Sequence, residues 1–291
     1  MIKFADDSTR QQVWDMWKSV FGDSDHYMEI YFRTKYKNEN TLLYFQGDKA
    51  VASLQMLPFQ FTFCGTEIPA LYLSGVSTLP EYRKKGYMDR LLHESFLVAH
   101  ERGVPLMLLV PQEGWLLKFY DKYGFAQTFD PGTEEFTLLG GMKGLIKSDI
   151  HAAYKEFDNY FRKQDLTVQK TFEDFRAIAE EAKLFNYPAK KSLIGMARVI
   201  DAGKLLTIFA SRHPEKEFSI SIQDEMLKHN NIVGTVSEGN FEKSSFEKNV
   251  AFEADVRLLA QLLLGYHTSE LNSPLNMIFP EKNAQMHYMM E

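Results

Sequence analysis

The chain has 291 residues, 45% of them hydrophobic and 25% charged, which is the balance of a globular protein with enough chain for two cores. A formal net charge of −6 disfavours nucleic acid as a partner and suits a cationic substrate. A lone cysteine, Cys64, excludes an intrachain disulfide framework. With no apolar leader and no run of about 18 apolar residues, a cytoplasmic protein without a membrane span is expected.

Residues 8–21 read as a first helix, with Ser8 as N-cap and Val13, Trp14, Trp17, Val20 and Phe21 on its buried side. Gly22 to Asp25 breaks it, and Asp25 is placed to cap a second helix through residue 37. Residues 41–45 form a short strand, Gly47-Asp48 a turn, and residues 50–63 one long strand or two broken near Pro58. A turn at 64–67 leads into a central strand over 71–78, rich in β-branched and aromatic residues, which Pro80 stops.

The basic turn Arg83-Lys84-Lys85-Gly86 comes next, and Met88, Leu91, Leu92, Phe96 and Ala99 then recur on one face of a helix. Strand, basic glycine turn and helix start make a physical anion site. The first amides of a helix have no partner within it, the macrodipole adds positive charge there, and glycine lets a phosphate approach the backbone. The turn lacks the Gly-Lys-Ser/Thr of a P-loop and has one glycine where a dinucleotide fingerprint needs several.

Gly103-Val104-Pro105 ends that helix, and residues 106–110 are an apolar run typical of a strand buried on both faces. Residues 111–118 lead to Phe119-Tyr120-Asp121-Lys122-Tyr123-Gly124-Phe125. Beyond residue 147 helices are expected over 149–161 and from Thr171, with 188–191 as a linker. A second region starts at Gly195 and carries strands near 218–222, 232–236 and 250–252, a Leu-rich helix over 255–266 and a short helix from Ser273-Pro274. The eight histidines never fall at His-x-x-x-His or His-Glu-x-x-His spacing, so no metal is expected.

Arg83-Lys84-Lys85-Gly86-Tyr87-Met88 resembles the pyrophosphate turn of the GNAT superfamily of acetyl-CoA-dependent N-acetyltransferases, Gln/Arg-x-x-Gly-x-Gly/Ala, with Met88 departing from the final small residue. Phe119 to Phe125 is similar to the Phe-Tyr-x-x-x-Gly-Phe that this superfamily carries at the end of its fourth helix. Over essentially the whole chain, with Met196-Ala197-Arg198-Val199-Ile200-Asp201 and the Leu-rich stretch from Ala254, the sequence resembles the enhanced intracellular survival protein family. That family joins GNAT-type domains to a domain like sterol carrier protein 2.

The resemblance implies an α+β (α/β) architecture: a mixed-sheet GNAT domain over 1–140, a helical connector over 141–190, and a sterol-carrier-like α+β domain over 191–291. It places Val76, Ser77 and Thr78 against the thioester and pantetheine of acetyl-CoA, the co-substrate. Arg83, Lys84, Lys85, Gly86, Tyr87, Met88 and Asp89 then surround its pyrophosphate, and Tyr120 is the general acid. The family's base is the carboxylate of the last residue, here Glu291, where those relatives end in an aromatic residue. Glu113 is a weaker candidate to steer an amine. The acceptor is expected to be a primary amine on a small molecule or peptide, and a homo-oligomer is compatible with the resemblance. The competing reading is a non-catalytic protein that binds acyl-CoA and an apolar ligand.

Overall fold

The computed structural model describes residues 1–131, 137–187, 194–244 and 250–290; the expected linker at 188–191 lies outside these. The first half runs β1 (Ile2–Phe4), α1 (Arg10–Phe21), α2 (Asp25–Thr34), β2 (Thr41–Gln46), β3 (Lys49–Phe63), β4 (Thr66–Thr78), α3 (Tyr87–Glu101), β5 (Leu106–Leu109), α4 (Gly114–Asp121) and β6 (Ala126–Phe129). Then come α5 (Thr137–Gly141), α6 (Lys143–Ser148), α7 (Ile150–Phe161), β7 (Val168–Gln169) and α8 (Phe172–Leu184). The remainder is β8 (Gly195–Val199), α9 (Ala202–Arg212), β9 (Phe218–Gln223), β10 (Ile232–Ser237), β11 (Asn240–Ser244), β12 (Phe252–Asp255), α10 (Val256–Leu263) and α11 (Leu275–Ile278). No helix among the described residues is long and apolar enough to cross a membrane.

Helix starts differ from the sequence expectation by a residue or so. Ser8 does not cap α1: its hydroxyl donates to Asp6 at 2.6 Å, and the helix begins after Thr9. Ser24, not Asp25, caps α2 by accepting from the Tyr27 amide, while Asp25 in the first turn pairs with Lys18. Helix α2 also ends early, at Thr34. Strand β3 runs unbroken through Pro58. Its pairing with β2 stops at Gln55 and its pairing with β7 starts at Gln60, so a free edge there tolerates a residue without an N–H.

Eight strands form the main sheet in the order β1-β2-β3-β4-β5-β8-β6, with β7 on a far stretch of β3. Residue alternation sorts its two faces. Ala70, Tyr72, Leu106 and Leu108 join Trp17, Tyr31 and Phe32 on the α1/α2 side. Leu71, Leu73, Met107 and Leu109 join Leu91, Leu92 and Phe96 of α3 on the other. Strand β8 lies beyond the boundary expected at residues 190/191, yet it sits inside this sheet, antiparallel to β5 and to β6. A second sheet, β11-β10-β9-β12, belongs to the later half, and α10 packs against β8 and β6 as well as against β12. Both halves share one apolar core.

Arg198 of β8 has no solvent exposure. Its guanidinium donates to both oxygens of Asp224 at 2.8 Å and to the Val199 carbonyl at 2.8 Å, and it lies 5.2 Å from the Phe96 ring centroid. Asp224 also accepts from the amides of Met226 and Leu227 and from Asn230. Burial pulls Arg198 below its ordinary pKa, against the pull of Asp224. Burial alone would raise Asp224, but Arg198 and Asn230 hold it below the usual carboxylate value. Asp224→Asn leaves the guanidinium buried without its counter-charge and should cost about 3–5 kcal/mol in urea unfolding. In the wild type the contribution of Asp224 is fully present above its unfolded pKa of 3.8 and is lost as pH falls through its lower folded pKa, so an acid titration should show the variant's deficit shrinking there.

Candidate active site

Strands β4 and β5 run parallel only from Ala70/Leu106 to Tyr72/Leu108 and then part. On its other edge β4 bulges: Ser53 pairs with Ser77 and Gln55 with Ser74, so Leu54 faces both Gly75 and Val76. Gly75 has φ +58, and a Cβ there would stand 2.6 Å from the Trp17 ring. The bulge therefore needs glycine for both its backbone and its contact. A lone glycine inside a strand pattern is the sequence signal that such a bend leaves.

The gap between the parted strands is a cleft of about 70 Å³. Trp17, Phe21, Tyr72 and Ser74 line it on the α1 side. Leu73, Val76, Leu109, Leu116 and Tyr120 line it from the strands and α4, and Val110 and Gln112 complete it. Of the residues expected at the site, Val76 and Tyr120 thus share one cavity, while Ser77 and Thr78 follow on the same strand toward the basic turn. Trp17 and Phe21, which the sequence placed only in the core, are also cavity walls.

Tyr120 is buried, packed edge-on against Phe119 and Phe125, and no hydrogen bond to another described residue ties up its hydroxyl. Burial, with Tyr123 adding to it, pushes its pKa up, so the phenol keeps its proton well past neutrality. Burial and the Asp89 carboxylate push Tyr123 up to about 12. Glu113 precedes α4 and accepts from the Trp115 indole on the surface.

Beyond Thr78 a short 3₁₀ turn over Pro80–Tyr82 leads to Arg83, whose Nε donates to the Thr78 carbonyl at 3.2 Å. Lys84 (φ 60) and Gly86 (φ 75) are both left-handed. Gly86 occupies the N-cap of α3 without any side-chain cap, and the Arg90 amide donates to its carbonyl. The amides of Tyr87, Met88 and Asp89 are therefore left to a ligand or solvent at the positive end of a fifteen-residue helix. Lys85 lies over the Tyr82 ring at 5.0 Å, and Tyr87 stacks on Tyr44 at 4.5 Å, fixing the turn on β2.

Glu291 lies outside the described residues. The preceding Met289 and Met290 are buried, and Lys170 Nζ donates to Met289 Sδ and to the Val168 carbonyl, both at 3.2 Å. Burial lowers Lys170 to about 7. Lys170 sits over Phe59, which contacts Tyr72 of the cleft wall edge-on. Between the main sheet and the later half, a small apolar cavity lined by Phe63, Leu106, Val199, Leu205, Ala260 and Leu263 measures about 10 Å³, room for about one water. Among the described residues no group of three or more His, Cys, Asp and Glu is placed to hold a metal ion.

Residues 1–128 match the family described as acetyltransferase (GNAT) domain. Two curated relatives, an uncharacterized N-acetyltransferase from Streptomyces griseus subsp. griseus and an uncharacterized N-acetyltransferase ORF5 from Streptomyces griseus, are each 29% identical over 82 residues, 28% of this chain. The matched stretch spans 19% of each relative's length. Among solved structures, a GCN5-related N-acetyltransferase from Anabaena variabilis superposes with a TM-score of 0.72 at 14% identity, covering 98% of both chains. Eis1 from Mycobacterium abscessus does so at 0.67 and 12%, again covering 98% of each. At these identities the likeness is one of fold, and it extends over both halves.

Gly75→Ala should destabilise the protein by about 2 kcal/mol or more through a strained backbone and the clash with Trp17. Gly47 has a similar φ of +61 with nothing within 4 Å, so Gly47→Ala carries only the backbone part. Urea midpoints of the two variants measure the Trp17 contact by difference; equal shifts would mean that the bulge does not need the small residue.

Proposed function

We propose that this chain, whose residues 1–128 are a GNAT acetyltransferase domain, is an acetyl-CoA-dependent N-acetyltransferase that acts on a primary amine by direct attack. The observation that carries the reading is the cleft between β4 and β5 with Tyr120 in its wall, reached along one strand from an uncapped, basic helix start. In this reading the amides at Gly86 to Asp89 and the Arg83, Lys84 and Lys85 cations hold the pyrophosphate. Val76, Ser77 and Thr78 run beside the pantetheine and the thioester, whose carbonyl a main-chain N–H of the bulged strand polarises.

The amine nitrogen bonds to the acetyl carbon, and the carbon–sulfur bond breaks as the tetrahedral intermediate collapses. Net, one proton leaves nitrogen and one arrives on sulfur. Tyr120 supplies the latter, the nitrogen's proton passes to solvent water, and solvent returns a proton to the Tyr120 phenolate. A free thiol has a pKa near 8.5, below that of a buried tyrosine, so Tyr120 first acts as a hydrogen-bond donor to the growing thiolate charge and transfers its proton only as the bond breaks. The later half contributes a strand to the sheet and acts as part of its scaffold.

Tyr120→Phe keeps the ring and removes the donor. Turnover should fall by roughly 10² with the KM for acetyl-CoA little changed. Because burial raises the Tyr120 pKa, the wild-type kcat should show no loss of this acid below about pH 10. Unaltered turnover with chemistry limiting would reduce Tyr120 to a packing residue. Gly86→Glu faces open space but forces a side chain onto a left-handed position and sets a carboxylate at the anion site, so acetyl-CoA binding should weaken by about tenfold or more, about 1.4 kcal/mol. Calorimetry on the folded variant decides it.

A further inference from the structure

Three buried polar side chains meet behind the bulge on the α1/α2 face of the sheet. The Tyr31 hydroxyl lies 2.8 Å from Ser74 Oγ and 3.1 Å from Gln55 Oε1, and neither Tyr31 nor Gln55 has any solvent exposure. Tyr31 owns a single proton. Donated to Gln55 Oε1, it leaves the 2.8 Å contact to the Ser74 proton, and the lone pairs of Ser74 Oγ are then unused. Gln55 Nε2 and Ser53 Oγ are buried and have no partner among the described residues. Ser74 Oγ and Gln55 Nε2 thus keep hydrogen-bonding capacity that no described residue uses.

Ser74 lines the cleft, between Tyr72 and the Gly75 bulge, with Trp17 and Phe21 on the same side. Tyr120 packs with the other face of the sheet. The amine adds to one face of the planar thioester carbonyl while the sulfur lies in that plane; with the sulfur near Tyr120, the cleft wall at Ser74 borders the space left for the incoming amine. The attacking nitrogen must aim its lone pair at that carbon, which turns its N–H groups toward the wall behind it. Ser74 Oγ is the side-chain acceptor on that wall whose own proton is already engaged. Resting on the acetyltransfer reading above, we propose that Ser74 receives an N–H of the acceptor amine and fixes its attack angle, with Tyr31 and Gln55 as positioning residues that lock the Ser74 hydroxyl.

The test compares wild type with Ser74→Ala, Ser74→Thr and Tyr31→Phe in a thiol-release assay with n-propylamine, 1,4-diaminobutane and Nα-acetyl-lysine amide, beside acetyl-CoA calorimetry. Ser74→Ala should lower kcat/KM for the amine by about tenfold or more while the Kd for acetyl-CoA stays within about twofold. Ser74→Thr, which keeps the hydroxyl, should recover to within about threefold, a rescue that a purely structural role for Ser74 does not produce. Tyr31→Phe, which keeps its ring against Trp17, should raise the amine KM more than it lowers kcat. Equal amine kcat/KM in wild type and Ser74→Ala would overturn the role of Ser74 and leave acetyl transfer standing. Acetyl-CoA binding without thiol release for any amine in the wild type would overturn the acetyltransfer reading and this inference with it.

Discussion

The Arg198–Asp224 pair holds the molecule's two halves and its candidate site to one point. A guanidinium with no exposure must have its charge met inside the protein, and Asp224, from the loop after β9, meets it in two bonds. The same guanidinium lies beneath Phe96 of α3 and fills the space beside Gly124, where a Cβ would stand 2.8 Å from its Nε. Gly124, at φ +79, closes the turn that follows Tyr120. One charge from the later half thus buttresses both the helix whose start is the candidate anion site and the segment that carries Tyr120.

What the sequence made legible was local. A turn that needs glycine and positive charge carries its geometry in consecutive residues, and Phe119 to Phe125 drew notice as a contiguous stretch resembling a family motif. The expected buried strand at 106–110 was legible for the same reason, since both its faces are covered. Pairings between distant segments were not. Nothing in Gly195 to Val199 announces that its neighbours will be β5 and β6, because a five-residue strand, apolar but for Arg198, carries no mark of which strands it will pair with. The Ser74–Tyr31–Gln55 cluster draws on three elements, and each member alone reads as an ordinary core or strand residue. Strand β11 went unseen because its residues are polar and mostly exposed.

The cleft itself is a consequence of sheet mechanics. Parallel pairing of β4 with β5 covers three residue pairs, and the bulge at Gly75 then turns β4 away while β5 continues toward α4. Strand β8 secures β5 from its other edge over Leu106 to Leu109, so the separation opens on one side only. A wall fixed on both flanks keeps the opening in place.

Because β8 completes the main sheet from a position far along the chain, the order of synthesis matters. On a ribosome adding roughly 5–20 residues per second, several seconds separate the emergence of Phe129 from that of Gly195. Throughout that interval the apolar edges of β5 and β6 are nascent strands without their shared partner, open to pairing with other chains. The first half therefore cannot reach its finished form as the first product of translation. Its quality control belongs to the whole polypeptide, and codon choice or chaperone access between these two strands bears on how much of it survives.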